Sequence, residues 1–378
     1  MLKSSKSSLV LNTLRQSGPV YVQYYVTSRC NLRCEQCNVI YANADARELD
    51  TDDAYSVIDS LGDIRTSVVL LTGGEPFIRA DLPKLAKRAI ENGIHPRIQT
   101  NGLASEAKLK ECADYGVRDI SISLDSLAPT LQDKLNGGFE DSWRKAIQTV
   151  SLVGRVLGKQ TFAAFGCVFS PYNFKHVESV IRFATEIGWW VSLVPAHTTL
   201  RSKPRSFSTY DRRMKFSEDQ FSEAQEVLDR IKDMKAKGYN VYDSDQYLED
   251  IGNYITNQPT LWRSRNNNVC DAGGLYFAVL PDGSMAPCCD WRMKSRVSLL
   301  EPRFSRDYKR GTYQEEITEI AKDCSGCLYG SYPEITISAR FLKATLERAK
   351  LFMDNNQHEI TDLPFEALET IASKFRSQ

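Results

Sequence analysis

From residue 20 to about residue 195, the chain alternates short runs rich in β-branched and aromatic residues with helical stretches. This alternation constrains the fold more than any other feature, because strand, helix and strand at such spacing build a parallel sheet, either open or closed into a barrel. About six units are present, fewer than the eight of a complete barrel. The predicted strands are VYVQYYVT (20–27), TSVVLLTGG (66–74), HPRIQTNG (95–102), VRDISISLD (117–125), TFAAFGCVFS (161–170) and WWVSLVP (189–195).

Three cysteines, Cys30, Cys34 and Cys37, directly follow the first predicted strand. The loops at the carboxyl ends of barrel strands are where such folds carry their chemistry, so we expect these thiols at that face. Three thiolates on one loop can hold three irons of a [4Fe–4S] cube, which leaves the fourth iron for a ligand from outside the protein. The spacing taken alone leaves zinc as an alternative.

Three further strand ends carry glycine-containing or polar motifs: TGGEP (72–76), QTNG (99–102) and SISLDS (121–126). Glycines at a strand end permit close approach of the backbone to a ligand. Ser123 and Asp125 are two residues apart on the fourth strand, so we expect both side chains on the same face, pointing inward.

The order of these four motifs resembles that of the radical S-adenosylmethionine (SAM) superfamily. The resemblance implies an α/β fold, a partial (βα)6 TIM-like barrel over residues 20–200. It also implies a [4Fe–4S] cluster bound by Cys30, Cys34 and Cys37, with SAM on the fourth iron. Gln36 departs from the family pattern, which usually has an aromatic residue before the third cysteine. The implied SAM-binding residues are Gly73, Gly74, Glu75, Pro76, Thr100, Asn101, Ser123, Asp125 and Val194.

A second set of cysteines lies in residues 269–335, a turn-rich segment that resembles the SPASM/twitch extension of radical SAM enzymes. Its stretch AGGLYFAVLPDGSMAP turns at PDG, as a β-hairpin does. The cysteine count suits the shorter twitch form, which implies a small subdomain with one fully ligated auxiliary [4Fe–4S] cluster. A structural zinc ion is the alternative. The implied ligands are Cys270, Cys288, Cys324 and Cys327.

Cys289 is one thiol more than this auxiliary site needs, since adjacent cysteines seldom both bind one cluster. We interpret it as a candidate catalytic residue that donates a hydrogen atom to a substrate radical. An alternate cluster ligand and an inert neighbour are the other interpretations.

The sequence predicts five segments along the chain. One of them, the linker and helical segment, contains an amphipathic helix over residues 216–238. The segments are an N-terminal extension (1–19), the barrel core (20–200), a linker and helical segment (201–268), the auxiliary cluster subdomain (269–335) and a C-terminal helical tail (336–378).

Charge and hydropathy give no support to several classes of function. Forty-eight Lys and Arg balance 48 Asp and Glu, so nothing indicates a nucleic-acid-binding surface. No apolar run approaches the ~18 residues of a membrane span, which predicts a cytoplasmic protein. In a reducing compartment, clustered thiols among the ten cysteines are more often metal ligands than disulfides.

The resemblance implies that SAM is cleaved reductively to a 5′-deoxyadenosyl radical, which abstracts hydrogen from a substrate. It also implies an electron donor such as flavodoxin or ferredoxin. We expect oxidation or epimerisation of a small polar metabolite, such as a sugar or aminocyclitol, because only about 20 residues precede the first strand and leave no room for a peptide-binding domain. Modification of a ribosomally made peptide is the alternative, and a non-catalytic iron–sulfur protein is a further one.

Overall fold

The computed structural model describes residues 18–39, 46–198, 208–209, 211–322, 324, 326–353 and 359–376. The predicted N-terminal extension, residues 1–19, lies outside the described residues except for its last two positions. Residues 201–207 of the predicted linker also lie outside them.

Six parallel strands lie side by side in chain order, and each falls within a predicted strand. The predicted α/β fold with a parallel sheet is therefore confirmed. Among the described residues, β6 has β5 as its one strand neighbour, so the barrel is a partial one. The strands are β1 (Tyr21–Thr27), β2 (Val68–Gly73), β3 (His95–Thr100), β4 (Asp119–Ser123), β5 (Phe162–Phe169) and β6 (Trp190–Pro195).

Helices connect these strands and bury their apolar side against the sheet. The first begins after Asp50, whose carboxylate accepts a hydrogen bond from the Asp53 N–H at 2.9 Å and so satisfies one of the free donors of the first turn. The connecting helices are α1 (Thr51–Asp63), α2 (Leu82–Glu91), α3 (Glu106–Asp114), α4 (Pro129–Leu135), α5 (Ser142–Leu157) and α6 (Val177–Glu186).

The two faces of the barrel strands differ in chemistry. In β3 and β6 every second residue is buried, whereas the residues between them are half-buried. The buried face packs on the helices, as where Phe165 stacks on Phe183 of α6 at 5.9 Å between ring centroids. The other face lines the inside of the barrel and remains partly accessible. Its members near the strand ends are small or polar: Gln99, Ser123, Gly166, Ser192 and Val194.

The predicted hairpin of the second cysteine segment is present, and it continues the barrel sheet. Strand β7 (Tyr276–Val279) pairs in parallel with β1, with Tyr276 beside Tyr21, and β8 (Met285–Ala286) returns antiparallel to β7. The second cysteine segment is therefore attached directly to the first barrel strand.

Helices make up most of the remaining described residues. The first of them falls within the amphipathic helix predicted over 216–238, and no described helix is both long and apolar enough to cross a membrane. These helices are α7 (Glu218–Ala236), α8 (Asp245–Ile255), α9 (Leu261–Ser264), α10 (Phe304–Lys309), α11 (Gln314–Lys322), α12 (Ser331–Arg340), α13 (Leu342–Met353) and α14 (Phe365–Arg376).

A buried charge network joins the C-terminal helices to β6. Arg348 of α13 lies 3.1 Å from Glu334 of α12, and their side chains are 13% and 4% exposed. Asp243 accepts hydrogen bonds from Ser192 Oγ at 2.8 Å and the Leu193 N–H at 2.6 Å, both on β6. Burial and, to a smaller extent, the nearby Glu334 raise the pKa of Asp243 to about 7, while the two hydrogen bonds and the Arg348 charge oppose this rise.

We expect Arg348→Met to lower the free energy of unfolding by about 3 kcal/mol, because it leaves two buried carboxyl groups without their cation. Urea denaturation followed by circular dichroism measures this. The matched control is Arg155→Met, which breaks an ion pair with Glu106 that is exposed on both sides and costs within about 1 kcal/mol. Equal losses in the two variants would contradict the buried network.

Candidate active site

The cysteine loop after β1 packs directly on the TGGEP turn after β2. The Gly74 N–H donates to the Thr27 carbonyl at 2.9 Å, and the Glu75 N–H donates to the Arg29 carbonyl at 2.8 Å. A Cβ atom on Gly74 would lie 2.1 Å from the Arg29 oxygen and 3.0 Å from Cys30 Cβ. Glycine is therefore required at this position, because only a bare Cα permits such close approach of the two loops.

The three thiols of the first set are half-buried and lie near one another. Burial is the main reason that the pKa of each thiol is raised, to about 11 for Cys37, and the neighbouring thiols raise those of Cys34 and Cys37 further. The Asn101 side-chain amide, at the end of β3, lies 3.8 Å from Cys30 Sγ. Cys34 Sγ donates to Asn136 Oδ1 at 3.4 Å.

Among the described residues, no three His, Cys, Asp or Glu side chains are arranged to hold one metal ion. Ligation of a cubane does not require such convergence, because each thiolate binds a different iron. The half-buried thiols and the bare glycine backbone beside them fit a cluster that also needs an external ligand.

Glu75 is fully buried and connects the ends of two strands. Its carboxylate accepts hydrogen bonds from the Phe77 N–H at 3.0 Å, Thr100 Oγ at 2.8 Å and the Asn101 N–H at 2.8 Å. Burial raises the pKa of Glu75 to about 7, against the effect of these donors. Pro76 begins the short 3-10 turn Pro76–Ile78 that follows. Four of the predicted SAM-binding residues, Glu75, Pro76, Thr100 and Asn101, are thus brought together.

Asp125 and Ser123 occupy the end of β4. Asp125 is buried and accepts from the Val168 N–H at 2.7 Å and from Gln36 Nε2 at 2.9 Å. Burial raises its pKa to about 7. Ser123 Oγ lies on the inner face, where it accepts from Gln99 Nε2 at 3.2 Å.

Gln36, the residue that departs from the family pattern, has a structural role. Its amide nitrogen donates to Asp125, while its Oε1 is buried without a hydrogen-bond partner in the part of the chain that the structure describes. An orphaned buried acceptor is costly unless a ligand or water supplies a donor. The cysteine loop is therefore coupled to the fourth strand through this side chain.

The second set of thiols also comes together. Burial raises the pKa of Cys327 well above its ordinary value, and the charges that add to this rise are those of Cys324, Cys288 and Cys270. Cys270 Sγ lies 3.3 Å from the Tyr276 hydroxyl on β7. All four predicted auxiliary ligands therefore occupy one neighbourhood next to the barrel sheet.

Cys289, the fifth thiol of this region, points to the inner face of β1. Its side chain is 1% exposed, and its Sγ donates to Gln23 Oε1 at 3.5 Å. Burial raises the pKa of Cys289 to about 12, so the sulfur carries its proton at neutral pH. Val194 lies on the same inner face at the end of β6, where a Cβ on Gly330 would meet it at 3.3 Å.

Two residues of the linker bridge the two cysteine regions. Thr209 Oγ donates to the Glu35 carbonyl, within the first cysteine loop, at 3.1 Å. Ser208 Oγ lies 2.8 Å from the Tyr329 hydroxyl, which in turn donates to Asp290 at 2.9 Å, next to Cys289. The two regions are thus connected over the rim of the barrel.

Comparison with known proteins identifies the barrel. Residues 24–184 match the family described as the radical SAM superfamily. The barrel is a radical SAM domain. The radical SAM chain is 25% identical over 274 residues to the mycofactocin maturase MftC of Mycolicibacterium smegmatis, covering 72% of this chain and 64% of that protein. It is 36% identical over 135 residues to the Fe-coproporphyrin III synthase of Methanosarcina barkeri, and this match covers 34% of this chain and 33% of that protein.

The fold of this chain is similar to that of solved structures. The Streptococcus suis protein SuiB, bound to its precursor peptide SuiA, superposes with a TM-score of 0.62 at 15% identity and covers 94% of this chain and 78% of that one. The first curated relatives are matched over between 33% and 64% of their length.

Several contacts of the radical SAM site were not predicted from the sequence. Asn136 lies 102 positions from its partner Cys34, and Thr209 lies 174 positions from Glu35. No motif marks either residue. Gln36 carries a signal of its own, because an aromatic residue is usual at its position in the family, but this signal does not point to Asp125.

We expect Gln36→Leu to raise the dissociation constant for SAM about tenfold, or ~1.4 kcal/mol, because buried Asp125 loses one of its two side-chain hydrogen bonds. Anaerobic calorimetry with reconstituted protein measures this affinity. Gln225→Leu is the matched control, since it removes an exposed glutamine–aspartate contact with Asp229 on α7. An unchanged affinity in Gln36→Leu would show that Asp125 does not depend on this bond.

Proposed function

We propose that this radical SAM enzyme binds SAM at the first cysteine set and uses the resulting radical to abstract hydrogen from a substrate inside the barrel. The observation that carries the proposal is the packing of the Cys30 loop against Gly74 and Asn101, which supports a single rim for cluster and SAM. When bound, a [4Fe–4S] cluster on Cys30, Cys34 and Cys37 supplies the electron that cleaves SAM into methionine and a 5′-deoxyadenosyl radical.

The residues of the rim bind and orient SAM in this proposal. We assign the amino acid part of SAM to Glu75 and Asn101. Ser123 and Asp125 provide acceptors for its hydroxyl groups, and Val194 provides apolar contact for the adenine. The half-buried position of the thiols leaves this side open to the ligand.

We propose a small polar substrate. Support comes from the inner face of the barrel, where Gln99, Ser123 and Ser192 are half-buried and carry neutral hydrogen-bonding groups. Such groups suit hydroxyl-rich or amide-containing molecules. Oxidation and epimerisation are the two outcomes we propose for the substrate radical, with a flavodoxin or ferredoxin as the external electron donor.

A ribosomally made peptide is the second candidate substrate, and the names of the relatives favour it. Besides the mycofactocin maturase, PqqA peptide cyclases from two bacteria match a third to a half of the chain. The inner face would then receive one side chain of the peptide.

The experiment that tests the proposal is anaerobic reconstitution with iron and sulfide, followed by SAM and dithionite. We expect 5′-deoxyadenosine, detected by mass spectrometry, and none from the Cys30→Ala/Cys34→Ala/Cys37→Ala variant. A non-catalytic iron–sulfur protein would yield no 5′-deoxyadenosine from the unmodified chain, which would end the proposal.

Iron counting tests the auxiliary cluster. We expect about eight irons per chain, falling to about four in Cys324→Ala/Cys327→Ala, because four thiolates hold the second cube and losing two removes it. 5′-Deoxyadenosine formation should persist in this variant, since the first site is intact. Cys112→Ala, which changes a buried helical thiol away from both sets, is the control and should keep eight. Four irons plus one zinc in the unmodified chain would replace the auxiliary cluster by a structural zinc site.

A test at Cys289 distinguishes epimerisation of the substrate from its oxidation. If epimerisation is the reaction, turnover in deuterated water places deuterium in the product, because the thiol exchanges its proton with solvent and then donates a hydrogen atom to the substrate radical. One electron from the proposed external donor and one proton from solvent restore the thiol from the resulting thiyl radical. We expect Cys289→Ala to abolish this incorporation while 5′-deoxyadenosine still forms. Incorporation that persists in Cys289→Ala would rule out this thiol as the donor, and Cys167→Ala provides a control for loss of another buried thiol.

A further inference from the structure

A cavity of about 810 Å³ opens beside the second cysteine set, outside the barrel. It lies between the segment that follows α9 and helix α11. Both Cys270 and Cys324 contribute to its wall, together with the cationic residues Arg263, Lys322 and Arg340. The wall of this cavity therefore contains two of the proposed auxiliary ligands and three cationic side chains.

Arg263 differs from the other two cations because it is buried, with 4% of its surface exposed. Its Nη2 donates to the carbonyls of Ala321 at 2.9 Å and Cys324 at 3.0 Å. Its Nε and Nη1 are buried without a hydrogen-bond partner among the described residues. Both acceptors are neutral carbonyls, so no described carboxylate balances this guanidinium through a hydrogen bond. A buried charge without a counter-charge is costly.

The backbone of the CxxC loop holds Arg263 in this position. Gly326, between Cys324 and Cys327, has φ +105°, and a Cβ there would lie 3.1 Å from Arg263 Cγ and 2.7 Å from Thr260 Oγ. The preceding residue of α9, Trp262, donates from its indole nitrogen to the Cys327 carbonyl at 3.0 Å. Adjacent residues of α9 thus bind the carbonyls of both cysteines in the pair.

The guanidinium also acts electrostatically on the thiols. Burial raises the pKa of the Cys270 thiol, and the Arg263 charge opposes that rise. The Arg340 charge is already neutralised, because this residue forms a two-bond ion pair with Asp271, at 2.8 Å from its Nε.

We propose that Arg263 is the counter-charge of the auxiliary cluster, offering its unpartnered Nε and Nη1 donors to the thiolate and sulfide sulfurs and thereby raising the reduction potential of the cluster. This inference rests on the proposed auxiliary cluster. A positive charge and hydrogen bonds to sulfur stabilise the reduced state, which carries one more negative charge. The cluster then accepts one electron more readily.

The test is a redox titration followed by electron paramagnetic resonance in the Cys30→Ala/Cys34→Ala/Cys37→Ala background, where only the auxiliary cluster remains. We expect Arg263→Gln to decrease the equilibrium constant for reduction at least tenfold, a shift of 59 mV to more negative potential for one electron. Arg263→Lys keeps the charge and should recover part of the shift. Arg340→Gln, in the same cavity but already paired, should shift the potential much less.

An unchanged potential in Arg263→Gln, with the cluster present, would overturn the inference and leave the proposed function standing. Absence of a cluster from the background protein that retains Arg263 would instead overturn the auxiliary cluster itself, and the inference with it. If Arg263→Gln loses the cluster while Arg263→Lys keeps it, the need for a positive charge is supported. Loss in both variants would overturn the inference, because the bonds to Ala321 and Cys324 would then be the role of this side chain.

Discussion

Glu75 accepts hydrogen bonds from three donors while it is fully buried, and the rim of the barrel depends on this arrangement. Its own backbone N–H donates to Arg29, so one residue connects the ends of β1, β2 and β3. Parallel pairing brings the carboxyl ends of all six strands to one edge. The carboxylate then fixes how the loops leave that edge. Replacement of Glu75 would consequently disturb both the loop geometry and any ligand that binds there, and it cannot separate the two effects.

The difference between the two faces of the strands determines where chemistry can occur. Apolar residues of the outer face pack against the helices, as in the stack of Phe165 on Phe183 of α6 at 5.9 Å. The inner face carries Gln99, Ser123 and Ser192, which no apolar core could accommodate without hydrogen-bond partners. Cys289 reaches this interior from the second cysteine region. The barrel is thus packed against its helices on the outside, whereas its inner face is polar.

The sequence predicted the strands and their end motifs well because both are local features. Alternation of β-rich and helical runs indicates the parallel sheet, and TGGEP or QTNG stands directly at a strand end. The pairing of β7 with β1 could not be predicted in this way, because it depends on which sheet edge is left uncovered after folding. The bond from Gln36 to Asp125 spans 89 positions and follows no periodicity. Arg263 likewise resembles any helical arginine until the CxxC loop is folded around it.

Carboxyl groups raise the pKa of thiols in both cysteine sets, and in the second set Asp290 acts in this way on Cys288. Glu75 raises the pKa of the Cys30 thiol, in addition to the larger effect of burial, and Asp125 acts similarly on Cys34. Arg263 has the reverse effect on Cys270. Negative groups disfavour an added electron, whereas a positive group favours it. With clusters bound as proposed, Arg263 favours electron acceptance by the second cluster, as oxidation of a substrate radical requires.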